Sequence, residues 1–183
     1  MFTADDGNAA LVVVDIVNDF VTGVFGSDKA KKTANLVASV LKDVQGRIPV
    51  IFTKDSHLKD DPEFKVWGEH CIDGTGGSEL YPALSGFTGF HIKKRHFDSF
   101  FDSDLDGLLR AKGIKRIYLC GISTDICVLH TASGAFYRYY DITVVDDMCT
   151  SIDPSKHSEA LKNMKTNYGA RIISSKEFIE EVV

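Results

Sequence analysis

Three side chains that together could perform nucleophilic catalysis follow apolar runs in this sequence. Asp15 directly follows one run, Lys94 ends a second, and Cys127 lies a short turn beyond a third. A thiol can act as the nucleophile, a carboxylate as the general base, and an ammonium can stabilise the negative charge of both. If the runs are parallel strands, their carboxyl ends meet at one edge of a sheet. The sequence therefore predicts that these three side chains converge in one pocket.

Cys127 follows an apolar run that ends at Cys120 and is interrupted by Gly121. The segment 123–125 reads Ser-Thr-Asp, which is typical of a helix start, and apolar residues at helical spacing follow it. A helix start presents free N–H groups and a positive dipole end, which would lower the pKa of the thiol and favour the thiolate. The alternative is that Cys127 is a small buried residue of the core, as most free cysteines are.

Asp15 and Lys94 also allow two interpretations each. A carboxylate at the end of a buried strand is unfavourable without a partner, so Asp15 is either a general base with a cation beside it or a turn residue. Lys94 lies in the basic stretch 93–96, which could be a solvated face. If Lys94 instead points inward, it pairs with Asp15 and places a positive charge beside Cys127.

A second group of residues could hold a metal ion. Asp55 and His57 are separated by one residue, so both project from the same side of an extended segment. Glu63 and His70 follow in the same region. Carboxylate and imidazole ligands without sulfur suit zinc, iron or manganese and leave positions open for water. The alternative is a set of surface histidines and acids that bind no metal.

Apolar runs alternate with helical patterns along the whole chain. Runs that are apolar throughout predict strands buried on both faces, which occur in parallel sheets covered by helices. We expect an α/β fold with an open, doubly wound, mostly parallel six-stranded sheet and helices on both faces. The predicted strands are 10–14, 50–53, 90–93, 116–120, 142–145 and 171–173. The predicted helices are 29–44, 104–112, 125–137, 156–167 and 175–181.

Composition narrows the range of partners. The chain has 183 residues, with 44% hydrophobic and 26% charged, which fits one domain spanning residues 1–183. A net charge of -5 argues against nucleic acid as a partner. No apolar run approaches the ~20 residues that span a membrane, and the first residues lack a signal-peptide pattern. We therefore expect no membrane partner, a cytoplasmic location and free thiols at the four cysteines.

Several blocks of the sequence, in the same order, resemble the isochorismatase-like cysteine hydrolases. The similarity extends over nearly the whole chain, and the ordered set of blocks is far more specific than any one of them. The matching blocks are residues 14–20 (VDIVNDF), 53–57 (TKDSH), 67–80 (WGEHCIDGTGGSEL), 94–100 (KRHFDSF) and 121–128 (GISTDICV).

This resemblance implies roles for the residues that match. Asp15, Lys94 and Cys127 correspond to the catalytic triad of the family. A cis peptide bond is expected between Ile122 and Ser123, with the backbone N–H groups of Ser123 and Cys127 forming an oxyanion hole.

The resemblance also assigns a metal site and a substrate pocket. Phe20 and Trp67 match positions that enclose an aromatic ring in nicotinamidases. We expect a divalent metal, zinc first, with iron or manganese as alternatives. The residues that match metal ligands are Asp55, His57, His70 and Glu63, of which Glu63 corresponds to a ligand found only in some members.

The implied activity is a cysteine-dependent amidohydrolase that releases ammonia from a small amide through a thioester. The resemblance to nicotinamidases implies conversion of nicotinamide to nicotinic acid. We also expect the chain to form a homo-oligomer. Two alternatives are a hydrolase of the N-carbamoylsarcosine amidase type and a catalytically silent binding module. Residues 55–58 read Asp-Ser-His-Leu where nicotinamidases usually have Asp-Trp-His-Pro, and residues 74–77 lack a proline found in many. These departures concern the substrate more than the chemistry.

Overall fold

The computed structural model describes residues 7–183 and is organised around one six-stranded sheet. Every neighbouring pair of strands is parallel, and the strand order is β3-β2-β1-β4-β5-β6. The strands are β1 (Ala9–Val14), β2 (Val50–Asp55), β3 (Phe90–Lys94), β4 (Arg116–Ile122), β5 (Asp141–Thr150) and β6 (Arg171–Ile173).

Helices connect the strands and cover the sheet. The helices are α1 (Asn18–Val21), α2 (Asp28–Val44), α3 (Phe64–Trp67), α4 (Leu105–Ala111), α5 (Leu129–Phe136), α6 (His157–Tyr168) and α7 (Ser175–Val182). Helix α2 begins where the Ser27 side chain accepts a hydrogen bond from the Ala30 N–H, and α7 begins with a capping box formed by Ser174 and Glu177. No helix within residues 7–183 is both long and apolar enough to cross a membrane.

The direction of the chain across the sheet reverses between β1 and β4. Strands β1, β2 and β3 follow one another toward one edge, whereas β4, β5 and β6 follow one another toward the other. Helix α2 connects β1 to β2, and α5 connects β4 to β5 in the opposite direction across the sheet. Because such crossovers are right-handed, the two helices lie on opposite faces of the sheet. Ligands of such sheets bind in the crevice at the carboxyl ends of the strands, where the order reverses. Asp15 follows β1 at this point.

The predicted α/β class and the six predicted strands are confirmed, and the sheet is entirely parallel rather than mostly so. The prediction that the fifth strand ends at Val145 is wrong, since β5 continues to Thr150. The register between β4 and β5 shifts where Leu119 pairs with Val144 but Gly121 pairs with Cys149. Asp146 and Asp147 lie within this irregularity and interrupt the apolar run. The apolar pattern in the sequence therefore stops at Val145, before the strand itself ends.

Gly121 shows how closely β4 approaches β1. Its φ is +130°, which L side chains rarely adopt, and a Cβ added there would lie 1.9 Å from the carbonyl oxygen of Val14. Since the obstacle is backbone inside the sheet, no side-chain movement can relieve the clash. Only glycine fits at this position, directly beside the strand end that carries Asp15.

We expect Gly121→Ala to lower the free energy of unfolding by at least about 3 kcal/mol, through both the clash and the strained φ. Gly107→Ala in α4 is the control, because nothing lies within 4 Å of the added Cβ. Alanine there should leave stability unchanged or raise it by about 0.5–1 kcal/mol. Urea unfolding followed by circular dichroism measures both. Equal midpoints for the two variants would contradict the close approach.

Candidate functional site

The ammonium of Lys94 lies at the centre of a buried cluster of charged and reactive groups. Its Nζ is 2.7 Å from Asp15 Oδ2, 3.1 Å from Asp55 Oδ1 and 3.8 Å from Cys127 Sγ, and it donates to the carbonyl of His96 at 2.9 Å. The Lys94 and Asp15 side chains are entirely shielded from solvent. One cation therefore faces two carboxylates and a thiol in a medium where charges interact more strongly than in water.

The sheet brings these groups together from separate parts of the chain. Asp55 and Lys94 are register partners at the ends of β2 and β3. Asp15 follows β1 with a φ of +50°, a left-handed conformation that aspartate tolerates better than most residues. Its backbone N–H donates to the carbonyl of Thr53 on β2. The convergence follows from three parallel strands ending at the same edge.

The two oxygens of the Asp15 carboxylate have different surroundings. Oδ1 accepts a hydrogen bond from the Thr53 hydroxyl at 2.9 Å. Oδ2 is in contact with the Lys94 ammonium but accepts no aligned hydrogen bond from residues 7–183. A buried carboxylate oxygen in this state can still accept a proton, and the Cys127 thiol is the proton donor beside the same ammonium.

Cys127 lies in a π-helical turn, Thr124–Val128, that connects β4 to α5 and is called the cysteine turn below. Placement near a helix start agrees with the sequence, but the expected low pKa of the thiol is wrong for the free protein. Burial raises the pKa of Cys127 well above its usual value, and the charges of Asp15 and Asp55 add to this, against the opposing effect of Lys94. Desolvation of the thiolate therefore outweighs the favourable charge of the Lys94 ammonium.

The charges of the cluster are linked. Burial raises the pKa of Asp15, which the Lys94 ammonium opposes, while Asp15 and Asp55 outweigh burial and hold the pKa of Lys94 well above its ordinary value. The raised pKa therefore keeps Lys94 charged near pH 7. A proton that moves from Cys127 to Asp15 turns a carboxylate and a thiol into a carboxylic acid and a thiolate. The net charge of the buried cluster stays the same, so the transfer needs no new counter-ion.

Four ligand atoms gather on the other side of Asp55. Its Oδ2 lies 3.0 Å from His57 Nε2 and 3.6 Å from His70 Nε2, and Glu63 Oε1 lies 3.9 Å from each histidine nitrogen. Ligand atoms around a tetrahedral zinc ion are roughly 3.3 Å apart, given bond lengths near 2.0–2.1 Å. The ligand atoms of Asp55, His57 and His70 all lie within 4.8 Å of one another and fit a divalent metal ion, whereas Glu63 groups in the same way with His57 and Asp61.

The remaining histidine nitrogens are held by hydrogen-bond partners outside this group. His57 Nδ1 lies 3.0 Å from Asp61 Oδ2, and His70 Nδ1 lies 2.8 Å from the carbonyl of Gly68. Such contacts fix which nitrogen faces a metal, as in many histidine-ligated sites. Burial alone would lower the pKa of His57, but Asp55, Asp61 and Glu63 raise it to about 9. This surplus of negative charge is what a divalent cation would neutralise.

A narrow pocket leads from the surface to Cys127. Its volume, including the open mouth, is about 330 Å³, which lies at the small end of the range for ligand sites. Aromatic rings form much of the wall, and Phe25 packs edge-on against both Trp67 and His70. The lining residues are Phe20, Phe25, Asp55, Glu63, Trp67, His70, Phe97, Ser123, Ile126, Cys127 and Ile152.

The isochorismatase domain family matches residues 9–177. The chain belongs to this family. The match spans all six strands of the sheet, so the fold and the family agree over nearly the whole described chain. Members of the family are hydrolases, and the predicted family resemblance is confirmed.

Solved structures of family members are similar to the chain over most of their length. The N-carbamoylsarcosine amidase of Thermoplasma acidophilum is 36% identical, with 92% of this chain and 96% of that chain covered and a TM-score of 0.84. The pyrazinamidase/nicotinamidase of Streptococcus mutans UA159 is 34% identical, with coverages of 90% and 99% and a TM-score of 0.83. The pyrazinamidase of Pyrococcus horikoshii, solved in complex with zinc, is 27% identical, with coverages of 91% and 99% and a TM-score of 0.84.

The structure brings every site residue expected from the sequence to one region. Ser123 and Cys127 face the pocket together with Phe20 and Trp67, and the peptide bond between Ile122 and Ser123 is cis. Sequence reasoning gave no role to Thr53 or Asp61, which contact site residues, and it missed the pocket residues Phe25, Phe97, Ile126 and Ile152. Asp61 lies four residues after His57, but acidic residues in loops are too common for that spacing to have identified it.

We expect Lys94→Met to lower the free energy of unfolding by about 3–5 kcal/mol, because Asp15 and Asp55 would remain buried without their cation. The neighbouring Lys93→Met is the matched control, since Lys93 pairs with Asp73 on the exposed surface and its loss should leave the unfolding midpoint unchanged. Urea unfolding at pH 7, in chelator-treated protein so that metal loss does not contribute, separates the two. A Lys94→Met midpoint equal to that of Lys93→Met would refute the central role of the ammonium.

Proposed function

We propose that the protein is a cysteine-dependent amidohydrolase that releases ammonia from a small aromatic amide, with nicotinamide as the leading substrate. The observation that carries this proposal is the buried Lys94 ammonium in contact with both the Asp15 carboxylate and the Cys127 thiol. This arrangement can form a thiolate when needed, and the thiol lies at the end of a pocket that admits a small molecule.

In the first half of the proposed reaction, Asp15 Oδ2 accepts the Cys127 proton and the thiolate attacks the amide carbon. The backbone N–H groups of Ser123 and Cys127 serve as the oxyanion hole, and both residues line the pocket. Loss of one such donor typically lowers the rate by about 10²–10³. Asp15 then returns the proton to the leaving nitrogen, and ammonia departs from a thioester of Cys127.

In the second half, water replaces ammonia. Asp15, again a carboxylate, accepts a proton from the water as its oxygen attacks the thioester carbon. The thiolate leaves and recovers the proton from Asp15, which releases the carboxylic acid product. Lys94 keeps its charge throughout and stabilises whichever of Asp15 and Cys127 is negative.

We further propose that Asp55, His57, His70 and Glu63 hold a divalent metal, with zinc the leading candidate. When bound, the metal supplies a Lewis-acid contact for a substrate ring nitrogen or for a water molecule. Support comes from the grouping of Asp55, His57 and His70, from Glu63 Oε1 at 3.9 Å from both histidine nitrogens, and from the zinc complex of the Pyrococcus horikoshii pyrazinamidase. Asp55 would then bind metal through Oδ2 while its Oδ1 accepts from Lys94.

The pocket favours a neutral aromatic amide over an anionic N-carbamoyl compound. Aromatic rings form much of its wall, and the described lining contains no lysine or arginine that could pair with a substrate carboxylate. Two basic residues near the site could have bound a substrate carboxylate, but Lys93 pairs with Asp73 and Arg95 pairs with Asp102 on the surface. Hydrolysis of an N-carbamoyl amino acid remains the second candidate, because the Thermoplasma acidophilum N-carbamoylsarcosine amidase is 36% identical.

Ammonia release from nicotinamide and from N-carbamoylsarcosine, measured side by side, tests the proposed function. We expect kcat/KM for nicotinamide to be at least about tenfold higher, since the aromatic wall suits a flat ring and the described lining offers no lysine or arginine to a substrate carboxylate. Cys127→Ala should abolish both activities while the melting temperature stays the same. Faster release from N-carbamoylsarcosine would overturn the substrate. Activity of Cys127→Ala within tenfold of wild type would overturn the mechanism.

The catalytically silent alternative has its own test. A silent scaffold should release no ammonia from either amide, and Cys127 should react with iodoacetamide no faster than the three other buried cysteines, Cys71, Cys120 and Cys149. Peptide mass spectrometry assigns the labelled position. Selective labelling of Cys127 together with turnover would exclude that alternative.

For the metal, we expect His57→Ala and His70→Ala each to lower zinc affinity by at least about tenfold and to raise KM for nicotinamide. His91→Ala is the matched control, because His91 is exposed on β3 and stacks against Phe52. Competition with a chromogenic chelator measures affinity without requiring activity. Wild-type affinity in both variants would remove this group of residues from the metal site.

A further inference from the structure

Thr124, the first residue of the cysteine turn, has a hydroxyl group that is sealed from solvent and held by a distant residue. The side chain is completely buried, and Oγ1 lies 2.8 Å from Nδ1 of His157, the first residue of α6. A buried hydroxyl without a partner is unfavourable, so this contact determines where Thr124 can sit. The reaction described above makes no use of His157.

The loop between β5 and α6 makes a second contact with the same region. The backbone N–H of Ile152 donates to Ser123 Oγ at 3.1 Å, and Ser123 Oγ donates in turn to Asp125 Oδ1 at 2.5 Å. Ile152 itself lines the pocket. One hydrogen bond from this loop and one from the first residue of α6 therefore hold Ser123 and Thr124, where the chain enters the cysteine turn.

The surroundings of the His157 ring keep it neutral near pH 7. Burial and the positive charge of Lys29 on α2 lower its pKa, and the carboxylates of Asp146 on β5 and Asp125 in the cysteine turn oppose this less strongly. A neutral ring with its proton on Nε2 leaves Nδ1 free to accept from the Thr124 hydroxyl. The contact then joins a neutral donor to a neutral acceptor inside the fold.

We propose that His157 is a positioning residue whose Nδ1 holds Thr124 Oγ1 and thereby fixes the backbone of the cysteine turn against Lys94. This inference rests on the proposed hydrolase function, because the N–H groups of Ser123 and Cys127 matter only if an oxyanion forms beside them. A turn that is free to shift by a fraction of an ångström would bind substrate as before but stabilise the transition state less well.

Paired substitutions test the contact from both sides. His157→Ala and Thr124→Val remove it, whereas His157→Asn and Thr124→Ser keep an acceptor and a hydroxyl at about the same places. We expect the first pair to lower kcat by about five- to tenfold with KM within about twofold of wild type. The second pair should recover kcat to within about twofold. His91→Ala is the control and should match wild type, because His91 is exposed and lies on β3, at the edge of the sheet.

The double variant Thr124→Val/His157→Ala distinguishes positioning from general stabilisation. If the two residues act only through their mutual contact, the double variant loses no more kcat than either single variant. Multiplied losses, or a lowered melting temperature with kcat unchanged, would overturn the proposal. Failure of the conservative pair to recover kcat would also overturn it.

A second readout keeps this test independent of the substrate. The rate of Cys127 alkylation by iodoacetamide needs no amide turnover, and it should differ from wild type in His157→Ala and Thr124→Val but not in the conservative pair. If no amide releases ammonia, the proposed function fails, yet the alkylation rates still decide whether His157 positions the turn. Equal alkylation rates in wild type and in all four variants would overturn the inference alone.

Discussion

The buried ammonium of Lys94 is the interaction on which the arrangement of the site depends. Two carboxylates, from the ends of β1 and β2, and a thiol from the turn after β4 all lie within 3.8 Å of this one atom. Without the cation, burial would drive the carboxylates to their neutral forms, and the strand ends would lose the charge that draws them together. The ammonium is thus at once a structural counter-ion and the group that makes a thiolate tolerable inside the protein.

Asp55 extends this dependence to the cluster of histidines. One of its oxygens accepts from Lys94, and the other lies between His57 and His70. Lys94, together with those histidines, outweighs burial and holds the pKa of Asp55 well below its usual range, so the carboxylate stays ionised for whatever cation the histidines help to bind. The proposed nucleophile site and the proposed metal site therefore share a carboxylate, and a change on one side alters the electrostatics of the other.

The sequence predicts those parts of the molecule that a repeating pattern specifies. All of β1 is buried, so its continuous apolar run identifies a central parallel strand, and the rule that ligands bind at strand ends then selects Asp15 and Lys94. The thiol pKa could not be predicted this way, because it depends on burial beneath the pocket wall. The end of β5 was missed because a shift in register places Asp146 and Asp147 inside the strand.

The least predictable segments are also those that form much of the pocket wall. Trp67 and His70 lie in a long stretch between β2 and β3 that has no periodicity, and Phe25 approaches both of them from the loop before α2. No local pattern encodes such contacts, because they exist only after the sheet has brought the loops together. Asp15 and Lys94 lie at strand ends and the proposed nucleophile Cys127 lies in the turn after β4, so related folds can share the chemistry. The rings and charges around the mouth of the pocket can change without disturbing those strand ends, which is why proteins of one family can act on different amides.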